Sequence, residues 1–376
     1  MLKVIHLTSV HPAFDTRIFH KECYSLAKAG YDVKLFAPAK KNETIAGVQI
    51  VALPTETNRL KRIGQATAEI YRKALDENAD LYHFHDPELI PAGLLLRARG
   101  KCVIYDVHED VPRNILARSY YKSSVSRKLV SWIFEQFENF AARNLSALIV
   151  ATPTIAKRFE NLNSKLEVVN NYPGKDEFHK SQTISWDLRA YAAGYVGNLT
   201  RVRGAFEMVN AMEHVDSSLQ AHLELGGRFE SVDVQTSLTN LPAWKYVNFH
   251  GYLDRVGVNQ LLEQIRVGLV TLHPEPTYIN SQPTKMFEYM SAGIPVLASD
   301  FSLWRSFIEN TKCGLLVDPL QPSEIGYSIE YLLKNSSEAE AMGLRGRKAV
   351  IEFFNWENEL PKLLNVYSRL LSADIR

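Results

Sequence analysis

Two successive series of short apolar segments, each alternating with longer amphipathic helical segments, constrain the fold of this chain more than any other feature. The apolar segments of the first series lie at residues 3–7, 32–37, 81–85, 103–107 and 147–151. Those of the second series lie at residues 191–197, 222–226, 247–250, 267–272, 295–298 and 315–317. Such alternation is typical of α/β domains with parallel sheets. We therefore predict an α/β protein with two Rossmann-like, doubly wound domains that face each other across a cleft.

A polar stretch rich in turn-forming residues, at residues 170–183, separates the two series. The length of 376 residues exceeds the size at which a single hydrophobic core usually keeps growing, so a division at this stretch is expected. We predict an N-terminal domain over residues 1–175 and a C-terminal domain over residues 185–355. The last helical segment, at residues 356–376, follows a complete second domain and is expected to cross back to the first.

The composition excludes several classes of protein. Hydrophobic residues make up 46% of the chain and charged residues 23%, which is ordinary for a globular protein. No apolar run reaches the roughly 20 residues that a membrane span needs. Three scattered cysteines and an N-terminus without the layout of a signal peptide predict a cytoplasmic location. Nucleic acid is not an expected partner, because no basic stripe interleaved with base-stacking aromatic residues is found.

The segment at residues 281–299 has the pattern of an anion-binding helix start followed by a buried strand. Pro283 suits the first helical turn, and Ser281 or Gln282 can cap it, which leaves backbone N–H groups at the positive end of the helix dipole. A phosphate would be stabilised there.

Three polar residues of this segment, Thr284, Lys285 and Glu288, share one helix face. Together they would surround an anion at the helix start with a hydroxyl, an ammonium and a carboxylate. A surface helix with an ordinary Lys285–Glu288 ion pair fits the same spacing, and both readings stay open.

The start of the second series has the pattern of a strand, a turn at Gly197 and a helix that opens near Gly204. Arg201 and Arg203 lie beside this helix start and can hold a diphosphate, although two solvated arginines fit equally. The turn lacks both the dinucleotide-binding glycine fingerprint and the P-loop pattern, which argues against NAD and ATP.

Polar residues also follow two strands of the first series, where parallel sheets bind their ligands. His83, His85, Asp86, His108, Glu109 and Asp110 could be metal ligands by type, but their spacing matches no known ligand pattern, and we predict no metal site. His108 is the better catalytic candidate, because a histidine at a strand end can donate to a sugar hydroxyl. Asp86 also suits the cap of the following helix.

The loop after the first strand carries His11, Asp15 and Arg17. These three side chains could meet a substrate, and an internal contact between Asp15 and Arg17 that shapes the loop is equally consistent with the sequence.

With these residues in view, the sequence resembles the retaining nucleotide-sugar glycosyltransferases of family 4, which have the GT-B fold. The resemblance spans nearly the whole chain. It rests on the motifs His11-Pro-x-x-Asp-x-Arg-Ile-Phe-x-Lys-Glu, His85-Asp-Pro-Glu-Leu, Tyr105-Asp-Val-His-Glu-Asp, Tyr195-Val-Gly, Arg203-Gly and Pro283-Thr-Lys-Met-Phe-Glu-Tyr-Met-x-Ala-Gly-Ile-Pro-Val. Of the Glu-x7-Glu signature typical of the family, Glu288 matches the second carboxylate and Asn280 stands at the first. Arg203 stands at the phosphate-binding lysine, and Asn198 replaces the arginine that usually follows Gly197.

The resemblance implies a hexosyltransferase that moves a sugar from a nucleoside diphosphate to a glycan or lipid-linked acceptor, without metal or cofactor, in bacterial surface-polysaccharide biosynthesis. It assigns catalysis to His108, Arg203, Lys285 and Glu288. It assigns the nucleotide sugar to Gly197, Asn198, Arg201, Arg203, Asn280, Thr284, Lys285 and Glu288. The acceptor side would include His11, Asp15, Arg17, His85 and Glu109. A nucleotide-sugar 2-epimerase of the same fold and a non-catalytic sugar-nucleotide-binding protein remain alternatives.

The charge of the chain is divided unevenly between its halves. Residues 1–175 contain 25 Lys and Arg against 18 Asp and Glu, a net charge of +7, whereas the remainder carries −6. Within the first half, residues 113–134 interleave basic with aromatic side chains, namely Arg113, Arg118, Lys122, Arg127 and Lys128 with Tyr120, Tyr121, Trp132 and Phe134. This mixture predicts peripheral docking on the anionic inner face of the plasma membrane, unless the large apolar residues belong to the core.

Overall fold

The computed structural model describes residues 1–54, 62–117, 123–178 and 184–373. It divides into an N-terminal unit, Met1–Asn171 with Asn358–Arg376, and a C-terminal unit, Tyr172–Glu357. Residues 179–183 of the predicted linker lie outside the described part of the chain.

The N-terminal unit is built on an eight-stranded sheet in the order β3-β4-β2-β1-β5-β6-β7-β8. Its strands are β1 Lys3–Leu7, β2 Asp32–Pro38, β3 Glu43–Ile45, β4 Val48–Leu53, β5 Leu81–Phe84, β6 Cys102–Val107, β7 Ala147–Val150 and β8 Leu166–Val168. All described neighbours pair in parallel except β3 and β4, which form a hairpin. The order reverses between β1 and β5, and open α/β sheets bind ligands at such a switch point.

Helices cover both faces of this sheet. A π-helical turn at Ile18–Cys23 leads directly into α1. The α-helices of the unit up to β8 are α1 Tyr24–Lys28, α2 Thr67–Asp76, α3 Ile90–Ala98, α4 Val111–Ala117, α5 Ser124–Asn144 and α6 Pro153–Phe159. On one face, Ile5, Tyr82 and Phe84 join a core with α2, α3 and α5. Because side chains alternate along a strand, His6 and His83 point to the other face.

The C-terminal unit has six parallel strands in the order β11-β10-β9-β12-β13-β14. They are β9 Ala192–Val196, β10 His222–Gly226, β11 Val247–Gly251, β12 Val267–Val270, β13 Val296–Ser299 and β14 Gly314–Val317. This is the Rossmann order, with its switch point between β9 and β12. Ala193 and Tyr195 face one core cluster, and Ala192 faces the other, so apolar residues cover both sides of the sheet.

The remaining helices belong to this unit, except that the last one extends into the N-terminal unit. They are α7 Ala205–Ala211, α8 Val232–Thr239, α9 Arg255–Gln264, α10 Pro276–Ile279, α11 Thr284–Ser291, α12 Ser302–Thr311, α13 Pro322–Lys334, α14 Ser336–Glu352 and α15 Trp356–Ala373. Leu363, Val366, Tyr367 and Leu370 form the buried stripe of α15, with the spacing expected for an amphipathic helix. The Tyr367 hydroxyl hydrogen-bonds to His6 and His83, which lie on strands of the N-terminal unit.

Candidate functional site

Two glycines, one after β9 and one after β10, allow close approach in the C-terminal unit. A Cβ atom on Gly197 would lie 2.6 Å from Cε of Lys285 and 2.7 Å from the hydroxyl of Tyr195. A Cβ atom on Gly227 would lie 1.7 Å from the carbonyl oxygen of Gly197. Only glycine fits these positions, and Lys285 therefore lies directly against the turn after β9.

The turn that follows presents Arg203. Residues Arg201–Arg203 form a 3₁₀ turn, in which Thr200 Oγ1 accepts the backbone N–H of Arg203 at 3.2 Å. Gly204 has φ +73°, and a Cβ atom there would lie 2.1 Å from the carbonyl oxygen of Thr271, just beyond β12. The start of α7 is thus fixed against the switch point of the sheet, as the sequence predicted for a helix opening near Gly204.

Arg203 lies beside two tyrosine hydroxyls. Burial disfavours its charged form, but Tyr195 and Tyr278 outweigh that effect and raise the pKa of Arg203 above its ordinary value. The guanidinium is therefore held as a cation at the carboxyl end of β9.

Lys285 is the least compensated cation of the unit's switch point. Within the described parts of the chain, its ammonium makes no hydrogen bond and has no carboxylate within 4 Å. Burial, Arg203 and Arg255 lower its pKa, and Glu288 offsets them only in part. An anion bound here would relieve the repulsion among these cations.

Among the described residues, Glu288 forms no ion pair with Lys285, which was one of the two arrangements that the sequence left open. Its Oε1 instead accepts from Nη1 of Arg255 at 3.0 Å, and Arg255 also donates from Nε to Glu177 Oε1 at 2.9 Å. Sequence reasoning missed Arg255. The only local signal was its place at the start of α9, where the side chain of Asp254 caps the helix by accepting from Gly257 N.

The expected cap of α11 by Ser281 or Gln282 is wrong. The hydroxyl of Ser281 donates to the carbonyl of Tyr278, and the carbonyl of Ser281 accepts from Nε1 of Trp304 at 2.8 Å. Pro283 occupies the N-cap position. Ser281 is held in the preceding turn by these two bonds, and no side chain of the described residues caps the helix start.

Other predicted nucleotide-binding residues lie at the surface. The guanidinium of Arg201 stacks on the ring of Phe206, 4.0 Å from its centroid. Asn198 and Asn280 are exposed, and Asn280 follows the last residue of α10. Thr284, partly exposed, is the first residue of α11.

In the N-terminal unit, Asp106 is the centre of a buried polar group at the end of β6. Arg17 holds it with two hydrogen bonds of 2.9 Å, and Nε2 of His108 lies 2.9 Å from its Oδ2. Burial opposes ionisation of Asp106, but Arg17 and His108 outweigh burial and keep its pKa well below the ordinary value. His108 is partly exposed, and Asp106 fixes the orientation of its ring.

Arg17 and His85 were predicted to face the acceptor, and the structure corrects both assignments. Arg17 is 3% exposed, and its guanidinium is used by Asp106 and by the carbonyl oxygen of Val169. His85 is 2% exposed, with Nδ1 3.3 Å from Asp106 Oδ2. Both residues support the site from below instead of lining it.

The predicted residues that remain accessible at this edge are His11, Asp15 and Glu109. His11 Nδ1 lies 3.4 Å from Asp15 Oδ2, and its Nε2 lies 3.4 Å from Asp86 Oδ1. Burial disfavours the charged imidazole, but Asp15 and Asp86 raise the pKa of His11 above its ordinary value. Asp15 also accepts the backbone N–H of Arg17, the internal loop contact that the sequence left open.

Asp86 does not cap the following helical turn as predicted. Its Oδ2 accepts from Thr8 Oγ1 at 2.8 Å and from the backbone N–H groups of Ser9 and Val10. The carboxylate therefore joins the ends of β1 and β5.

Beneath Asp106 lie His6, Glu22, His83 and His85, all buried. Burial lowers the pKa of His6 and His83 well below the ordinary value, and that of His85 to about 4. Burial and the charge of Asp106 raise the pKa of Glu22. The sequence spacing gave no indication of this cluster.

Each half of the chain matches a known protein family. Residues 176–349 match the family Glycosyl transferases group 1, and residues 16–171 match the Glycosyl transferase 4-like domain. An uncharacterized glycosyltransferase of Methanocaldococcus jannaschii is 25% identical over 174 residues, which are 46% of this chain and 43% of that relative. The match thus spans less than half of that relative's length.

Solved structures show the same architecture over nearly the whole chain. Sucrose-phosphate synthase from Thermosynechococcus elongatus is 20% identical, with a TM-score of 0.75 over 99% of this chain and 100% of that one. Anabaena HepE in complex with UDP-glucose is 16% identical, with a TM-score of 0.72 over 98% and 100%. WaaG, a glycosyltransferase involved in lipopolysaccharide biosynthesis, is 15% identical, with a TM-score of 0.67 over 94% and 95%. The predicted fold, with two parallel-sheet α/β domains, is confirmed.

The contacts of His11 predict a pH-dependent contribution to stability. Its pKa is raised by folding, so the contribution is complete below the pKa of an unfolded histidine, about 6.5, and is lost as the pH rises through the folded value. We expect His11→Gln to lower the free energy of unfolding by up to about 1 kcal/mol near pH 5.5, and by much less near pH 9. Urea unfolding of both proteins at the two pH values measures the difference.

His214→Gln is the matched control, because His214 is exposed and has no carboxylate within 4 Å among the described residues. This substitution should leave the free energy of unfolding unchanged at both pH values. An equal cost of His11→Gln at both pH values would contradict the assignment.

Proposed function

We propose that this chain, whose two parts match glycosyltransferase family models, transfers a hexosyl group from a nucleoside diphosphate sugar to a glycan or lipid-linked acceptor, with retention of configuration. The UDP-glucose in the similar structure of Anabaena HepE supports a nucleotide-sugar donor. The role of WaaG in lipopolysaccharide biosynthesis supports bacterial surface-polysaccharide assembly, with the reaction in the cytoplasm.

The observation that carries this proposal is the charge of Lys285, which Glu288 compensates only in part. Arg203 and Arg255 lie close enough to lower its pKa, and no hydrogen bond or ion pair from a described residue compensates its ammonium. Held cations of this kind stabilise a diphosphate, and the uncapped start of α11 adds its dipole. The donor diphosphate is therefore assigned to Arg203, Lys285 and the first turn of α11.

The chemical step follows from this placement. As the bond between the sugar and the diphosphate breaks, negative charge grows on the leaving phosphate, and preorganised cations stabilise that charge without any rearrangement. If the acceptor attacks from the face that the diphosphate leaves, the departing phosphate oxygen can take the proton of the acceptor hydroxyl. No separate base is then needed.

Two further residues have roles in the proposal. Glu288, oriented by Arg255, would accept hydrogen bonds from the ribose hydroxyls. His108 would contact a substrate hydroxyl at the edge of the N-terminal unit, because Asp106 orients its ring through Nε2 and Nδ1 is the ring's second polar atom.

We expect Lys285→Ala and Arg203→Ala each to lower turnover by about 10²–10³-fold, as loss of one preorganised donor does elsewhere. Lys285→Ala should still fold, because the ammonium has no hydrogen bond and no carboxylate within 4 Å among the described residues, and it lies 5.9 Å from the ring centroid of Tyr195. The donor is first selected by thermal shift with UDP-, GDP- and ADP-sugars, and release of the nucleoside diphosphate is then measured with glycan acceptors.

Lys348→Ala removes an exposed lysine of α14 and serves as the control with wild-type turnover. Wild-type turnover in both site variants would refute the diphosphate assignment. Isomerised nucleotide sugar without any acceptor would instead identify a 2-epimerase, and binding without turnover would identify a non-catalytic binding protein.

Transfer is also expected to be independent of divalent cations at the diphosphate, because side-chain cations supply the charge that Mg²⁺ would bring. Turnover in EDTA should equal turnover with added Mg²⁺ or Mn²⁺. Loss of activity in EDTA that Mg²⁺ or Mn²⁺ restores would show that the cationic side chains are not sufficient.

We further propose that the N-terminal unit docks on an anionic membrane surface through α5. Trp132 and Ile133 are 58% and 53% exposed, and Phe140 is 54% exposed, whereas Phe134 packs against the core. The predicted residues Arg118, Tyr120, Tyr121 and Lys122 lie outside the described residues. In the described parts of the chain, every helix is too short or too polar to span a bilayer. The exposed rings of α5 and the net charge of +7 in residues 1–175 support peripheral docking.

Vesicle co-sedimentation tests this surface. Wild-type protein should bind vesicles containing phosphatidylglycerol at low salt, and Lys128→Glu and Trp132→Ser should each weaken binding about tenfold. Lys348→Glu, on the other unit, is the control and should bind normally. Absence of wild-type binding, or unchanged binding in both α5 variants, would exclude a membrane role for this helix.

A further inference from the structure

The register of the N-terminal sheet brings three histidines together that are far apart in the sequence. His6 of β1 pairs with His83 of β5, and His85 follows β5 at the same edge. Glu22 reaches the same point from the π-helical turn Ile18–Cys23, in which its backbone N–H bonds to the carbonyl of Arg17. π-helical turns occur frequently at functional sites.

We propose that His6, Glu22, His83 and His85 form a buried binding site for a transition-metal ion, of which Zn²⁺ fits best. One nitrogen or oxygen atom from each of the four residues can be chosen so that all of them lie within 4.8 Å of one another. All four side chains are buried.

The distances suit a tetrahedral ion. His6 Nδ1 and His85 Nε2 lie 2.9 Å apart in a hydrogen bond that a bound ion would replace, and each of these nitrogens lies 3.9 Å from Glu22 Oε2. Ligands about 2.0–2.1 Å from a tetrahedral Zn²⁺ are about 3.3–3.4 Å apart, a value between the distances found here. Small rotations of these side chains would bring the distances between the ligand atoms close to that value.

Atoms at the centre of the cluster lack partners. Among the described residues, neither carboxylate oxygen of Glu22 has a hydrogen bond of ordinary geometry, and neither does Nε2 of His83, although all three atoms are buried. Besides burial, the carboxyl of Asp106 lies close enough to Glu22 to raise its pKa. An Arg17 nitrogen lies 3.0 Å from Glu22 Oε1, close enough for an ion pair, but the geometry is not that of a hydrogen bond. Native proteins seldom leave several adjacent buried polar atoms unsatisfied, and a metal ion would satisfy them together.

The outer nitrogens of the three rings are each held by a hydrogen-bonding partner. His85 Nδ1 lies 3.3 Å from Asp106 Oδ2, and His6 Nε2 lies 3.1 Å from the hydroxyl of Tyr367. His83 Nδ1 lies 2.7 Å from the same hydroxyl. Metal-binding histidines show this arrangement, in which the outer partner fixes the tautomer and aims the inner nitrogen at the ion.

The chemistry of the donors selects the ion. Imidazole nitrogens with one carboxylate suit Zn²⁺ and its neighbours in the first transition series, and do not suit Mg²⁺ or Ca²⁺. Two carboxyl groups, those of Asp106 and Glu22, face the single guanidinium of Arg17. Because the site is buried and Tyr367 belongs to α15, the ion would join the last helix to the sheet and would not touch substrate.

Metal analysis of the full-length protein tests the proposal. Protein expressed with Zn²⁺ should contain about one Zn²⁺ per chain by mass spectrometry. Because buried zinc resists removal, the protein is unfolded in guanidinium with chelator and refolded, and Zn²⁺ alone should then raise its melting temperature. Glu22→Gln and His83→Gln should abolish both the stoichiometric zinc and the shift, whereas the control His214→Gln should keep them.

Two further measurements keep the proposal testable if those variants do not fold. Zn K-edge X-ray absorption of the wild-type protein should show imidazole nitrogen and oxygen ligands and no sulfur. Tyr367→Phe preserves the packing but removes the hydroxyl, and should weaken Zn²⁺ binding about 10–100-fold. Wild-type protein without stoichiometric zinc both before and after refolding with Zn²⁺, zinc retained by Glu22→Gln and His83→Gln, or sulfur ligands would each overturn it.

Discussion

The buried ion pair between Arg17 and Asp106 organises the ligand-binding edge of the N-terminal unit. Its two hydrogen bonds join the loop after β1 to the end of β6, and a third bond from Arg17 reaches the carbonyl of Val169 after β8. Loss of one partner from such a buried pair typically costs about 3–5 kcal/mol, because the remaining charge is left uncompensated. Because Arg17 pairs with it, the carboxylate of Asp106 stays in place and orients both His85, which is buried, and His108, which is partly exposed. The same ion pair therefore stabilises the fold and positions the site.

The C-terminal unit depends on close approach at its switch point instead of on a matched charge pair. Gly204 and Gly227 let backbone segments meet at distances that any side chain would prevent. Arg203 and Lys285 are consequently held near each other, and Arg255 lies close enough to repel Lys285. This arrangement costs stability in the free protein, as binding sites commonly do. The two units therefore differ in their electrostatics, because Arg17 and Asp106 pair with each other in the N-terminal unit, whereas Lys285 of the C-terminal unit has no carboxylate within 4 Å among the described residues.

The strand pattern predicted most of the sheets but not their edges. The hairpin of β3 and β4 escaped notice because β3 is three residues long and its chain reverses at Ala46 and Gly47, both with positive φ. Gly47 is only a weak sequence indication of this turn, and Ala46 gives no indication of it. The helix opening near Gly204 was predicted well, because the motif combines a strand, a glycine and a short turn that are local in sequence.

The sequence indicated which residues lie at strand ends, but not which residues they bind through hydrogen bonds and ion pairs. Periodicity and turn residues are local properties, so the chain alone determined two α/β domains and placed His85, His108, Arg203 and Lys285 near ligand-binding edges. Only the tertiary structure decided that Glu288 is held by Arg255, that Arg17 faces inward, and that His6 and Tyr367, 361 residues apart, share a hydrogen bond. The physical reason is that an ion pair or hydrogen bond forms only within a few ångströms, and sheet register and helix packing set that proximity between distant segments.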